Sequence, residues 1–182
     1  AAVVAAGGEA LLRGICPSDL KVPLEEFQKA GAAVDADEKN RQIRICMGKR
    51  PLPLLIKTEP YPGFPTDLQS PFMAFLATAQ GTSYIEEQVF EGRFATAKIL
   101  EQMGAVIRTE DQRAVIEGHY PLKGAAVNAC DLRGGAALMV AALAAEGDTF
   151  IGECHHIERG YEDICRDMAA LGAHIRWVGK DS

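Results

Sequence analysis

Residues 61–69 carry the sequence Tyr-Pro-Gly-Phe-Pro-Thr-Asp-Leu-Gln, and the rest of the chain can be interpreted outward from them. Each proline fixes its own φ and drives the preceding residue into an extended conformation, so the segment is predicted to be a stiff loop. Thr66 and Asp67 then stand where a helix should begin, before the apolar residues 71–79. A carboxylate held there suits an N-cap or a catalytic or binding group, and local sequence alone favours the N-cap.

The Asp-Leu helix start at Asp67 is one of several landmarks that recur along the chain. A Gly-Ala pair between an amphipathic stretch and an alternating one occurs three times, about 70 residues apart, beginning at Gly31, Gly104 and Gly172. A small-residue helix end that runs into a strand precedes each pair, at residues 5–8, 79–82 and 145–148. The Asp-Leu start occurs again at Asp131, and the first copy begins too late to contain it. The chain is therefore predicted to contain one unit three times.

Each copy has the same predicted order of elements. An apolar helix leads through glycine to a strand, a second helix ends at the Gly-Ala pair, and two strands close the unit. In the middle copy these elements are residues 71–79, 83–89, 94–103, 105–110 and 114–118, and the third copy has a predicted strand at 173–178. The first helices are apolar on every side, as at residues 136–145, which predicts that they lie inside and the sheets outside.

The predicted fold class is therefore α/β. We expect an inside-out, barrel-like domain of three βαβαββ repeats, the first truncated at its start and the third incomplete. The repeats run from about 1–57, 58–124 and 125–182 within a single domain of 182 residues. The chain starts within what reads as the end of a helix and stops soon after a strand, so we expect a piece of a longer protein.

Composition excludes several classes of function. A net charge of −6 argues against a nucleic-acid surface, and the longest apolar run, residues 136–145, is too short to span a membrane. The five cysteines include no C-x-x-C pair, which predicts a reduced cytosolic protein with neither a disulfide framework nor a metal site. His155 and His156 form no metal pattern with a nearby cysteine, so they are interpreted as structural, and Trp177 is predicted to lie in the core.

Four phrases in order give the chain a resemblance to a known family. They are Phe-Pro-Thr-Asp-Leu-Gln at 64–69, Val-Phe-Glu-Gly-Arg-Phe at 89–94, Asp-Leu-Arg at 131–133 and Arg-Gly-Tyr-Glu at 159–162. Together they resemble the larger domain of the UDP-N-acetylglucosamine enolpyruvyl transferases. The resemblance implies a cytoplasmic bacterial enzyme of peptidoglycan synthesis that acts in cell-wall formation, cell shape and cell division. The activity that the resemblance implies is transfer of the enolpyruvyl group of phosphoenolpyruvate to the 3′-hydroxyl of UDP-N-acetylglucosamine, without a cofactor.

The resemblance also implies roles for individual residues. Asp67 resembles the aspartate that receives the proton of the sugar 3′-hydroxyl. This role requires a general base within hydrogen-bond reach of that oxygen. Val89, through its backbone, and Phe90 resemble positions that contact the nucleotide-sugar, although the Val89 side chain is predicted to be strand core. Arg133 and Arg159 resemble the arginines that hold phosphoenolpyruvate, and both are expected near helix N-termini. A solvated surface charge is the alternative for each arginine.

Two further candidates have more than one interpretation. Arg93 and Arg159 follow Gly81 and Gly147 at the same spacing, whereas the matching place in the first copy is Leu20, so the fold does not require an arginine there. Arg93 is predicted to bind substrate or transmit closure, and an ion pair with Glu91 explains it equally well. Asp131 resembles an aspartate near the reacting centre, and an N-cap role is equally favoured.

Other functions remain open at this point. The runner-up enzyme is 5-enolpyruvylshikimate-3-phosphate synthase, which shares the fold and phosphoenolpyruvate, and the phrase at 89–94 points away from it. A non-catalytic binding domain of the same fold is a different class, and a relative that acts on RNA ends is disfavoured by the acidic charge. The family's other, N-terminal domain supplies the proton donor, so the isolated chain is expected to be inactive.

Overall fold

The computed structural model describes residues 1–179 as three successive groups of helices and strands. The first group contains α1 (Ala2–Ala6), β1 (Gly8–Arg13), α2 (Lys21–Lys29), β2 (Ala33–Asp37) and β3 (Gln42–Met47). The second contains β4 (Leu55–Lys57), α3 (Gln69–Leu76), β5 (Thr82–Glu86), α4 (Ala95–Gln102), β6 (Val106–Glu110) and β7 (Arg113–Glu117). The third contains β8 (Leu122–Lys123), β9 (Ala126–Asn128), α5 (Leu132–Leu143), β10 (Ala145–Glu146), β11 (Phe150–Gly152), α6 (His155–Glu158) and α7 (Ile164–Ala170). Short 3₁₀ turns precede α2 and α3, at Pro17–Leu20 and Thr66–Leu68.

The strands form separate sheets around the molecule. The first group has an antiparallel sheet in the order β1-β3-β2, and the second has a sheet in the order β4-β5-β7-β6. Within the second sheet β4 runs parallel to β5, whereas the other neighbours are antiparallel. In the third group β8 pairs with β10 and β9 with β11, both in parallel. A central helix therefore connects parallel strands in both later groups, as α3 and α5 do.

The helices α1, α3 and α5 pack against one another in the centre of the molecule. Every residue of α3 is buried, which explains why its sequence is apolar on all sides. Strands such as β6 lie outside and expose most of their residues. This arrangement confirms the predicted fold class of helices inside and sheets outside, whereas the repeat boundaries at 57 and 124 stay a prediction.

Aromatic packing anchors the loop that leads into α3. The ring centroid of Phe72 lies 4.7 Å from that of Phe27 and 4.7 Å from that of Phe64. Phe64 belongs to the proline-rich loop and is 4 % exposed, so the loop is fixed to the core immediately before Asp67. The prediction of a stiff loop at the start of a helix is consistent with this packing.

Two predicted strands differ from the structure. The strand predicted at 83–89 ends at Glu86, because the backbone N–H groups of Gln88, Val89 and Phe90 bond to side chains instead of to a neighbouring strand. Residues 173–178 form no strand; β2 and β6 each pair with the strand that follows them, and no such partner follows among the described residues. Residues 180–182 of the predicted third repeat lie outside the described residues.

Other predictions can be compared directly. Trp177 is partly buried against a small apolar cluster that includes Ile157 and Ile164, in agreement with the core prediction. No disulfide joins any of the five cysteines. Within residues 1–179, no helix combines the length and the apolar character needed to cross a membrane.

Candidate active site

Asp67 is the carboxylate at the centre of the candidate site. It lies inside the 3₁₀ turn Thr66–Leu68 and caps neither this turn nor α3. Its Oδ1 atom accepts a hydrogen bond from Nε of Arg133 at 2.5 Å and lies 3.5 Å from Nη1 of Arg93. The side chain is 62 % exposed. The N-cap interpretation of Asp67 is therefore wrong, and the carboxylate is directed toward two cations.

These arginines set the electrostatics of Asp67. The hydrogen bond from Arg133, together with the positive charges of Arg133 and Arg93, lowers the pKa of Asp67, and partial burial opposes this effect. The same hydrogen bond raises the pKa of Arg133. Asp67 is consequently ionised and is a weak base while it is paired with these arginines.

Arg133 is the second residue of α5, so it lies at a helix N-terminus as predicted. The residue that caps this helix is Asp131, whose Oδ1 atom accepts a hydrogen bond from the backbone N–H of Gly134 at 2.6 Å. The N-cap interpretation of Asp131 is confirmed. Its catalytic role stays a prediction.

Arg93 precedes α4 and bridges two parts of the site. Its Nη1 atom donates to the hydroxyl oxygen of Thr66 at 2.6 Å, and its guanidinium carbon lies 4.2 Å from the ring centroid of Phe90. Among the described residues its ion-pair partner is Asp67 and not Glu91. The alternative of a Glu91 ion pair is therefore wrong.

Val89 and Phe90 lie in the turn after β5 and are 36 % and 50 % exposed. The prediction that the Val89 side chain is strand core is wrong, because the strand ends three residues earlier. Both backbone N–H groups donate to Oε1 of Glu87, at 3.0 and 3.1 Å. A backbone contact from Val89 to a ligand must then use its carbonyl oxygen.

Sequence reasoning missed Glu87, which has no exposed surface. Thr58 and Thr66 also bond to its carboxylate, at 2.8 and 2.9 Å. A signal was available: in the alternating strand, Glu87 falls on the same side as the buried Ser83 and Ile85. A charged residue at a buried strand position needs hydrogen-bond partners, and here it has four.

The position of Arg159 differs from the predicted one. It is exposed at the C-terminal end of α6 and not at a helix N-terminus. The next residue packs closely against α5, since a Cβ atom placed on Gly160 would lie 2.6 Å from Cδ1 of Leu132. The structure thus brings Asp67, Arg93 and Arg133 together and places the Arg159 segment against the residue before Arg133.

The histidines and acidic groups provide no metal centre among residues 1–179, where no cluster of three or more His, Cys, Asp or Glu side chains could hold an ion. The rings of His155 and His156 lie 4.0 Å apart, and His155 Nδ1 lies 3.3 Å from a Glu153 carboxylate oxygen.

Comparison with known proteins adds independent information. Residues 1–168 match the family described as EPSP synthase (3-phosphoshikimate 1-carboxyvinyltransferase). The chain is 45 % identical over 174 residues to a UDP-N-acetylglucosamine 1-carboxyvinyltransferase of Desulfofundulus thermocisternus, covering 96 % of this chain and 71 % of that protein. It is 45 % identical over 175 residues to UDP-N-acetylglucosamine 1-carboxyvinyltransferase 2 of Carboxydothermus hydrogenoformans, covering 96 % of this chain and 42 % of that protein.

Solved structures resemble the chain in the same way. The enolpyruvyl transferase NikO of Streptomyces tendae superposes with a TM-score of 0.85 at 29 % identity, over 96 % of this chain and 42 % of that one. EPSP synthase of Acinetobacter baumannii superposes with a TM-score of 0.70 at 20 % identity, over 98 % of this chain and 42 % of that one, and this similarity supports the fold alone. In both superpositions the chain covers less than half of the solved protein.

Proposed function

Because this chain belongs to the EPSP synthase family of enolpyruvyl transferases, we propose that it forms one half of the active site of a UDP-N-acetylglucosamine 1-carboxyvinyltransferase. The reaction joins the enolpyruvyl group of phosphoenolpyruvate to the 3′-hydroxyl of the nucleotide-sugar and releases phosphate. The observation that carries the proposal is the Asp67 carboxylate, which is exposed, caps no helix and is held between two arginines.

Asp67 receives the proton of the sugar hydroxyl as its oxygen attacks C2 of phosphoenolpyruvate. Its pKa is lowered by Arg133 and Arg93, so it is ionised and available to accept a proton at neutral pH. An anionic substrate competes with Asp67 for these cations. Binding of phosphoenolpyruvate therefore weakens the ion pairs and makes Asp67 a stronger base where the reaction needs one.

Arg133 and Arg159 hold the phosphate and carboxylate groups of phosphoenolpyruvate. Arg133 donates to Asp67 through Nε, which leaves its two terminal nitrogens for a forked anion. Arg159 is exposed, and its segment packs against the start of α5. The two cations thus approach the substrate from neighbouring segments, and Asp131 caps the helix that carries Arg133 while its charge lies near the reacting centre.

The nucleotide-sugar contacts the turn after β5. The Val89 carbonyl oxygen and the exposed Phe90 ring provide one backbone and one aromatic contact. Arg93 stacks on the Phe90 ring and links this turn to Asp67. Sugar binding and proton transfer are therefore connected through a single short segment.

The chain spans between 39 % and 42 % of the length of three of its curated relatives. A second, N-terminal domain completes the cleft, donates a proton to C3 of phosphoenolpyruvate and excludes water. As phosphate leaves C2, that domain takes a proton back from C3, which restores the carbon–carbon double bond of the enolpyruvyl group. The isolated 182-residue chain has no turnover without that domain. The enzyme acts in the bacterial cytoplasm, in peptidoglycan precursor synthesis, and so supports cell-wall formation and cell division.

The alternative within the family is transfer to shikimate 3-phosphate. Relatives named for the UDP-sugar reaction are 41–45 % identical to this chain, whereas the EPSP synthase structures are 20 % identical. The UDP-sugar is accordingly the favoured acceptor.

The test uses the full-length enzyme and measures phosphate release with each acceptor. Turnover with UDP-N-acetylglucosamine and none with shikimate 3-phosphate is expected, and the reverse preference would assign the chain to the other reaction. Asp67→Asn should abolish most of the turnover. Asp35→Asn, on the exposed strand β2, is the matched control and should leave turnover unchanged.

A further inference from the structure

A buried carboxylate holds the turn after β5 in place. Glu87 is fully buried, and its Oε1 atom lies 2.8 Å from the Thr58 hydroxyl, 3.0 Å from the Val89 nitrogen and 3.1 Å from the Phe90 nitrogen. Its Oε2 atom lies 2.9 Å from the hydroxyl of Thr66. Glu87 therefore joins the loop before α3 to the turn that carries Val89 and Phe90.

The direction of these hydrogen bonds follows from the other partners of the two threonines. The Thr58 hydroxyl accepts from the backbone N–H of Gln88 at 2.8 Å, so its own proton points to Glu87. The Thr66 hydroxyl accepts from Arg93 at 2.6 Å and likewise donates to Glu87. Both carboxylate oxygens of Glu87 thus act as acceptors in all four hydrogen bonds.

The same network satisfies the backbone N–H groups of the turn after β5. The N–H of Gln88 is bound by Thr58, and those of Val89 and Phe90 by Glu87. Three consecutive donors that would otherwise pair with a strand are satisfied by two buried side chains. The carbonyl oxygen of Val89 is thereby directed by a group that no substrate can contact.

The network continues from Glu87 to Asp67. Thr66 accepts from Arg93, and Arg93 lies 3.5 Å from Asp67 and 4.2 Å from the centre of the Phe90 ring. Without the Thr66 hydroxyl the guanidinium group would lose its shortest bond and would be free to leave Asp67. The position of Arg93 relative to Asp67 therefore depends on the bond between Thr66 and Glu87.

We propose that Glu87 is a positioning residue of the transferase site, which orients the Val89–Phe90 turn directly and fixes Arg93 beside Asp67 through Thr66. This inference rests on the proposed function, because it concerns the same substrate and the same base. It assigns Glu87 no contact with substrate. Its effect is on nucleotide-sugar affinity and on the basicity of Asp67.

The charged groups around Asp67 determine the sign of the pH effect. Arg133 and Arg93 face its carboxylate, Asp131 faces Arg133, and Glu87 lies behind Thr66. When Arg93 leaves Asp67, one of the two cations that lower its pKa is lost. The pKa of Asp67 then rises, and the acid limb of kcat/KM moves to higher pH.

The experiment compares Thr66→Val with Thr66→Ser in the full-length enzyme. Valine keeps the shape and removes the hydroxyl, whereas serine keeps the hydroxyl. Thr66→Val should lower kcat/KM by about 10- to 100-fold, as small displacements of reacting groups do, and shift the acid limb upward. Thr66→Ser should restore both. Thr78→Val removes another buried threonine hydroxyl, at the far end of α3, and is the control for loss of stability alone.

Glu87→Gln tests the carboxylate itself. It should raise KM for UDP-N-acetylglucosamine and shift the acid limb as Thr66→Val does. If Glu87→Gln and Thr66→Val both behave like Thr78→Val, with an unshifted pH profile, the inference is wrong. If Glu87→Gln does not fold, the comparison of Thr66→Val with Thr66→Ser decides whether the inference holds. Retained turnover in Asp67→Asn would overturn the proposed function itself, which distinguishes the two failures.

Discussion

The starts of α3 and α5 carry the same Asp-Leu pair but use the aspartate differently. Asp131 has an extended backbone with φ of −162°, immediately before α5, and its side chain reaches the N–H of Gly134. Asp67 lies one residue into a 3₁₀ turn, two residues before α3 begins, and bonds to no backbone N–H of that helix. Asp67 thus lies one residue farther from its helix than Asp131 does, inside a 3₁₀ turn, and this leaves its carboxylate available to the site.

The comparison also shows how the two aspartates depend on each other. The helix that Asp131 caps carries Arg133, and Arg133 is the closest cation to Asp67. Asp131 caps α5, α5 carries Arg133 near its N-terminus, and Arg133 donates a hydrogen bond to Asp67. The structure assigns the N-cap role to Asp131 and not to Asp67, so we expect the structural and the chemical roles that local sequence left open to be divided between the two aspartates.

The largest effect expected from this division concerns the charge of Asp67. Asp67→Asn in the full-length enzyme should lower kcat by about 10²- to 10⁴-fold, the usual contribution of a general base. Steady-state phosphate release measures this effect. A loss below about tenfold, with folding intact by circular dichroism, would mean that Asp67 is not the proton acceptor.

The next largest effect concerns Arg133. Arg133→Lys removes the forked guanidinium and its hydrogen bond to Asp67, so kcat/KM for phosphoenolpyruvate should fall by about tenfold or more. Since Arg133 lowers the pKa of Asp67, its loss should raise that pKa and move the acid limb of the pH profile upward. An unchanged limb would show that the two groups do not interact in the working enzyme.

A smaller effect is expected for Asp131→Asn. Asparagine caps a helix as well as aspartate does, so only the negative charge near Arg133 is lost. We expect kcat/KM to fall by about tenfold at most, compared with the much larger loss for Asp67→Asn. Equal losses in the two variants would contradict the division of roles.

The smallest effect concerns stability. Asp131→Ala removes the N-cap of α5 and should lower the free energy of unfolding by about 1 kcal/mol, whereas Asp131→Asn should not. Asp67→Ala should cost less than Asp131→Ala near pH 7, because the Asp67 ion pair is exposed. Urea denaturation of the full-length variants measures both. The Asp67 contribution should disappear as the pH falls through its lowered pKa, since the ion pair stabilises only the ionised form.

Sequence patterns predicted the fold well because periodicity and glycine landmarks report on burial. The apolar sequence of α3 predicted a central helix, and the recurrence of Gly31, Gly104 and Gly172 predicted the repeated order of elements. The prediction of a strand at 173–178 was wrong, because a strand forms only beside another strand that pairs with it. A local sequence pattern does not show whether that neighbouring strand exists.

The site was predicted in part. The family resemblance of the phrases that contain Asp67, Arg93 and Arg133 implied one site, and the structure brings these three side chains together. Their contacts were not predictable, since neither the position of Asp67 inside a 3₁₀ turn nor the rotamer of Arg93 leaves a trace in the sequence. Glu87 was missed because its role depends on Thr58 and Thr66, which are distant along the chain.

The most direct test is an NMR titration of aspartate side-chain carboxyl carbons in the full-length enzyme, with Asp67→Asn and Asp131→Asn used for assignment. The signal of Asp67 should titrate at a higher pH once phosphoenolpyruvate is bound. This is expected because the substrate competes for the arginines that lower the Asp67 pKa. An Asp67 signal that titrates at the same pH with and without bound phosphoenolpyruvate would contradict the assignment of the base.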